Sequence, residues 1–261
     1  MDTLYRFLGF LAILVLLLVL QRSLHRETQA IFLILTRREE LAVALFSLLF
    51  FPGVLLHEAS HFLMAVLLRV PTGRVSLFPQ VLPGGKEGDR SARLQLGFVE
   101  TAQTDWLRDA LIGAAPLLTG GLLVAYAGIT RLGLPLLWEA LRSGGPRAVL
   151  DGLEQLLNTQ ADFWLWFYLA FTVSSTMLPS ASDRRSWLPV SLFAGLLLAA
   201  SLLVGAGPWL VENLAQPLER VLGAMAVVLA ISLLIHIALL LPAALLRRLL
   251  SRLTGLQIVS T

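Results

Sequence analysis

The chain has 261 residues, 57% of them apolar and only 14% charged, with a mean hydropathy of +0.79. Soluble domains carry roughly 25% charge, so this chain lacks the polar groups to face water all round and reads as an integral membrane protein. Twenty basic residues against 17 acidic leave +3, too little and too dispersed for nucleic-acid binding, and the lack of cysteine excludes disulfides, thiolate metal sites and cysteine nucleophiles.

A bilayer core of about 30 Å takes about 20 mostly apolar residues per helix. Residues 4–20 form the first such run, and Gln21-Arg22-Ser23-Leu24-His25 offers no small-residue cleavage site, so it reads as an uncleaved signal-anchor helix. Residues 30–35 are apolar but too short to cross and are expected at the interface. Residues 41–70 form a second, overlong span that should tilt or overhang. Between 71 and 108, Gly84-Gly85 precedes the alternating run Arg93-Leu94-Gln95-Leu96-Gly97-Phe98, which predicts a half-buried strand with 75–78 as its partner. Further spans are expected at 109–130, 163–178, 187–204 and 218–241. Residues 149–157 place Val149, Leu150, Leu153, Leu156 and Leu157 on one helical face, as a helix lying on the membrane surface does.

The expected fold is an all-α multi-pass membrane protein of about six transmembrane helices, with a small amphipathic β-hairpin and an interfacial helix. Residues 1–261 form one unit: a signal-anchor and interfacial segment at 1–40, a core at 41–190 and C-terminal helices at 191–261. Arg74, Lys86, Arg90, Arg93, Arg184, Arg185 and the basic tail at Arg247, Arg248 and Arg252 fall on one side, which the positive-inside rule makes cytoplasmic. Arg22, Arg26, Arg37 and Arg38 oppose that orientation. The basic tail is expected to hold anionic headgroups.

The chemistry concentrates in the second span, at Phe51-Pro52-Gly53-Val54-Leu55-Leu56-His57-Glu58-Ala59-Ser60-His61. His57 and His61 are one helical turn apart, so both rings point the same way and can share one tetrahedral ion. Glu58 sits where its carboxylate reaches a water on that ion, which is the His-Glu-x-x-His arrangement of zinc peptidases. An ionised carboxylate at mid-bilayer costs roughly 2.5–3.5 kcal/mol on insertion scales, and a divalent cation compensates it. Pro52 and Gly53 are expected to kink the helix and make room for a ligand. A catalytic zinc needs a third protein ligand. With His25 and His236 poorly placed, a carboxylate is expected: Asp183, with Glu100, Asp105 and Asp109 as alternatives. Asp183 also reads as a solvated loop acid paired with Arg184 or Arg185. His236 reads as a helix-packing hydrogen-bonder.

The constellation resembles the site-2 protease family of intramembrane zinc metalloproteases. His57, Glu58 and His61 match that family's motif helix, and Asp183 after Pro179 corresponds to its later metal-binding Asp. The resemblance covers residues 41–190, including the small-residue segment Gly113-Ala114-Ala115-Pro116 and Gly120-Gly121. Arg184 follows the Asp where the family has Gly, Ser174, Ser175 or Thr176 must replace the family's Asn, and no insert is large enough for a PDZ domain. The resemblance implies a zinc-dependent endopeptidase in the cell membrane, with its active site nearer the cytoplasmic side. Its partners would be the bilayer and a membrane-protein or membrane-peptide substrate. Such an enzyme cuts peptide bonds within or beside transmembrane segments, with His57, His61 and Asp183 holding Zn2+ and Glu58 acting as general base. The competing expectations are an inactive binding or chaperone module that keeps the fold, and a small transporter, for which the sequence lacks the inverted repeats.

Overall fold

The structure, a computed structural model, describes residues 2–76, 80–82, 93–95 and 97–256. Phe78, Gly84-Gly85, Lys86, Arg90 and Leu96 lie outside the described residues. The chain is a helical membrane protein whose elements run α1 (Asp2–Thr36), α2 (Glu39–Leu67), β1 (Thr72–Ser76), β2 (Gln80–Leu82), β3 (Arg93–Gln95), β4 (Phe98–Thr101), α3 (Trp106–Tyr126), α4 (Leu134–Thr159), α5 (Phe163–Thr176), α6 (Trp187–Leu203) and α7 (Gly207–Thr254). A π-helical turn, Ala127–Arg131, extends α3.

Among the described residues, four helices are long and apolar enough to cross a bilayer: Phe7–Thr36, Glu39–Leu67, Trp106–Arg131 and Gly207–Thr254. The expected spans at 163–178 and 187–204 fold as helices of 14 and 17 residues, short of the length that defines the other four. The break expected after residue 20 does not occur, and residues 30–35 continue α1 instead of lying separately at an interface. The polar stretch inside α1 is accommodated by partners: Gln21 donates to the Ser175 carbonyl, Thr28 Oγ1 donates to Leu24 O at 2.8 Å, and Glu27 pairs with Arg247 of α7. Arg247 is thereby committed to a protein carboxylate and not to a headgroup alone.

The single hairpin expected in the 71–108 loop is two antiparallel pairs. β1 pairs with β4, Val75 opposite Val99, and β2 pairs with β3, Val81 opposite Leu94. The segment 149–157 belongs to α4, which kinks at Gly145 (φ 71°) and is stapled by one inward residue, Leu156. Leu150 and Leu157 of the expected apolar face point outward.

α5 is the central element. Ala170 through Ser175 are all buried, and its hydroxyls are satisfied locally or by neighbours: Thr172 Oγ1 donates to Leu169 O at 3.1 Å and Ser174 Oγ to Phe171 O at 3.0 Å. α2 presents its buried stripe, Phe46, Phe50, Val54, Glu58 and His61, in steps of three and four residues with Gly53 beside it, so the motif and the apolar core share one helical face. Pro52 lies within α2 without ending it. Gly53 serves close approach: a Cβ there would overlap the Thr172 carbonyl and lie 2.5 Å from Thr176 Oγ1. Gly53→Ala is therefore expected to destabilise the protein by about 1–3 kcal/mol, outweighing the ~1 kcal/mol that alanine gains in helix propensity. Gly195→Ala on α6, where a Cβ meets nothing, should be neutral or stabilising. Thermal unfolding of the two variants in detergent, each against the parent, reads the contrast.

Candidate metal centre

α2 enters the bundle with His57 half-buried and Glu58 and His61 buried, one turn beyond Val54. α5 ends at Thr176, and the turn that follows it brings Asp183 to the two rings of α2. That turn is built from its own polar groups. Ser180 N donates to Asp183 Oδ2 at 2.7 Å, Asp183 N donates to Ser180 Oγ at 3.3 Å, and Arg184 Nε donates to Ser180 O at 3.1 Å. Gly113 of α3 lets this turn close down, because its Cα faces the Asp183 backbone carbonyl at a distance that leaves no space for a Cβ.

These elements bring His57, His61 and Asp183 together, with one ligand atom from each lying within 4.8 Å of the others. His57 Nε2 and His61 Nε2 are 3.2 Å apart, His61 Nε2 is 3.5 Å from Asp183 Oδ1, and His57 Nε2 is 3.7 Å from Asp183 Oδ2. Donors about 2.0–2.1 Å from a tetrahedral ion stand about 3.3–3.4 Å apart, close to the 3.2 Å between the two ring nitrogens, while the rings face different oxygens of the Asp183 carboxylate at slightly longer range. Those longer distances are long for direct hydrogen bonds between ring and carboxylate. His61 Nδ1 lies 2.8 Å from Ile112 O. A carbonyl only accepts, so the proton is on Nδ1 and the neutral ring aims an Nε2 lone pair into the site, the outer-shell arrangement of metal-bound histidines. Two ring nitrogens and a carboxylate converging in this way form a group that can hold a metal ion.

Asp183 remains charged although burial alone would raise its carboxyl. The His57 and Ser180 side chains and the Ser180 backbone N–H lower it, and the carboxyl sits below its ordinary range, at about 2. Its two neighbouring arginines are engaged elsewhere, Arg184 with Ser180 O and Arg185 with Asp109, so the solvated Asp183–arginine pair weighed above does not form.

The alternative ligands are accounted for. Asp105 caps α3, accepting from Leu107 N at 3.2 Å and Arg108 N at 3.0 Å. Glu100 accepts from Arg74 N at 3.3 Å on the β1–β4 pair. Asp109 is buried and accepts from Arg185 Nε at 2.8 Å and Ser186 Oγ at 2.5 Å. His236 is fully buried; its Nδ1 donates to Ser232 O at 2.7 Å, so its Nε2 accepts from Ser175 Oγ at 3.1 Å, as a packing residue would.

A cavity of about 1030 Å³ contains the three donors and Glu58 and reaches β4 on one side and His25 on the other. β4 begins against the acid: a Cβ on Gly97 would stand 2.9 Å from Glu58 Cγ and 3.1 Å from Val54 Cγ1. Three contributors escaped the sequence reading. The Ile112 carbonyl is a backbone atom with no residue-type signal, Arg185 reads in the sequence only as a partner for Asp183, and His25, poorly placed as a ligand, lines the cavity with its ring edge-on to Phe46 and Phe50. No protein-family model, curated protein or solved structure matches the chain.

Proposed function

We propose that the protein is an intramembrane zinc-dependent endopeptidase that hydrolyses peptide bonds within or next to transmembrane segments, as its motif resemblance to site-2 proteases implies. The observation that carries this reading is the convergence of His57, His61 and Asp183, with one ligand atom from each within 4.8 Å of the others, and Glu58 lining the same cavity. In this reading α5 and α6 make the remaining passages to about six, and the site opens nearer the cytoplasmic side of the cell membrane.

Zinc held by His57, His61 and Asp183 would supply an acidified water and a Lewis acid for the scissile carbonyl. Glu58 takes the proton from the attacking water and delivers it to the leaving nitrogen as the C–N bond breaks. Its place one residue from His57 holds the carboxylate next to that water without making it a ligand. A transmembrane helix shields its own peptide bonds, so the substrate must unwind to be cut. β4, which lines the cavity from Phe98 to Thr101, offers backbone groups for the extended segment to pair with. The Ile112 carbonyl keeps the His61 ring in register during turnover.

The test is metal removal and return. Purified protein in vesicles is expected to carry about one zinc per chain and to cut quenched-fluorescent transmembrane peptides. A chelator should abolish cleavage, and stoichiometric zinc should restore it. A parent that takes up no zinc, or cleavage that survives complete stripping, overturns the proposal. Tight zinc binding without cleavage of any segment in a broad peptide set points to the non-catalytic binding module instead.

A further inference from the structure

We infer that Asp109 is a positioning residue for the metal centre: by clamping Arg185 and Ser186 it holds the 183–186 turn in place and keeps the Arg185 cation off the Asp183 carboxylate. The inference rests on the zinc reading above and adds a determinant of metal affinity outside the ligand set.

Asp109 lies in the first turn of α3, with its side chain 11% exposed and Arg185 contributing a guanidinium from across the cavity. Arg185 meets it as a fork, Nε donating to Oδ2 at 2.8 Å and the second guanidinium nitrogen donating to Oδ1. Ser186 Oγ adds a third donor, to Oδ2 at 2.5 Å. Bidentate charge-assisted pairs of this kind fix orientation as well as supplying energy. Four residues further along α3, Gly113 touches the Asp183 carbonyl. The same helix therefore grips both ends of the 183–186 turn, and between those grips the Asp183 carboxylate is aimed at the two rings.

Charge gives the clamp a second effect. Arg185 is two residues from Asp183 and lines the same cavity. A guanidinium freed from Asp109 is a flexible cation within reach of the carboxylate that must bind metal, and it competes with the ion for it. Neutralising Arg185 on Asp109 removes that competitor. This resolves the oddity of a metal-binding acid followed directly by two arginines.

The two effects make a sign-specific test, using zinc alone as the probe. Zinc affinity is measured by competition with a chelator on the purified full chain, and the visible spectrum of the cobalt form reports the ligand set. Asp109→Asn is expected to weaken zinc binding about 10–100-fold, the range for outer-shell partners of metal ligands, and to reduce the intensity of the tetrahedral cobalt bands. Asp109→Asn combined with Arg185→Gln removes the competing cation and should bind zinc more tightly than the single variant, within about tenfold of the parent. A merely structural contact, already broken in the single variant, predicts no gain from the second substitution. An affinity for Asp109→Asn within twofold of the parent overturns the inference, as does a double variant no tighter than the single. If the single variant does not fold, a double variant that binds as weakly as Asp183→Ala overturns it too. A parent that holds no zinc sinks the zinc reading itself, whereas a zinc-binding parent matched by Asp109→Asn sinks only the clamp.

Discussion

Glu58→Gln is expected to retain zinc at the parent's stoichiometry while losing hydrolysis by at least roughly 10²–10⁴-fold, the range that a positioned general base contributes. The amide has almost the shape of the carboxylate, so the close approach of the buried side chain to Gly97 persists and α2 keeps its place. His57, His61 and Asp183 are untouched, and Glu58 is not one of the converging donors. What disappears is the basicity that takes the proton, because an amide oxygen, though it keeps its lone pairs, is far too weak a base near neutral pH. Zinc analysis and peptide cleavage on the same preparation make the measurement. Hydrolysis within tenfold of the parent would remove Glu58 from the mechanism.

Asp183→Ala is expected to lower zinc affinity by more than the roughly 10–100-fold that loss of an outer-shell partner costs, because it removes a ligand outright. The comparison variants sharpen the result. Asp105→Ala should destabilise α3 by about 1 kcal/mol through loss of its cap and leave zinc affinity near the parent's. Glu100→Ala, on the exposed rim of β4, should do the same without the stability loss. Chelator competition on all three gives the ranking directly. Equal affinity for Asp183→Ala and the parent would move the third ligand elsewhere.

The legible part of the site was its local part. His57, Glu58 and His61 owe their convergence to a four-residue spacing on one helix, and helix geometry is the same in any context. Asp183 was reachable only through membrane sidedness and motif resemblance, because its position depends on where α5 stops, and that end lies in a stretch, Ala170–Ser175, packed on every side by residues distant in sequence. The Ile112 carbonyl could not be read at all, since every residue has one. Asp109 carried an ambiguous signal: an acid in the first turn of a helix suits the macrodipole, a metal or an ion pair equally, and only the arrival of Arg185 from 76 residues away decides between them.

The fold was misread where polar residues had distant partners. Gln21 to Glu27 looked like the end of a span because single-chain hydropathy assigns each such group to water. In the folded chain the Ser175 carbonyl takes Gln21, Arg247 takes Glu27, and α1 runs on to Thr36. The overlong prediction at 163–178 has the converse origin: an apolar run continued through Met177 and Leu178, but the helix ends at Thr176 so that the chain can turn toward α2.

Ile112 and Gly113 are consecutive residues, and one steadies the imidazole of His61 while the other abuts the backbone of Asp183. Ring and acid thus lean on a common anvil a single peptide wide. Neither His61 nor Asp183 belongs to α3, so a displacement of that helix at this peptide disturbs ring and acid together.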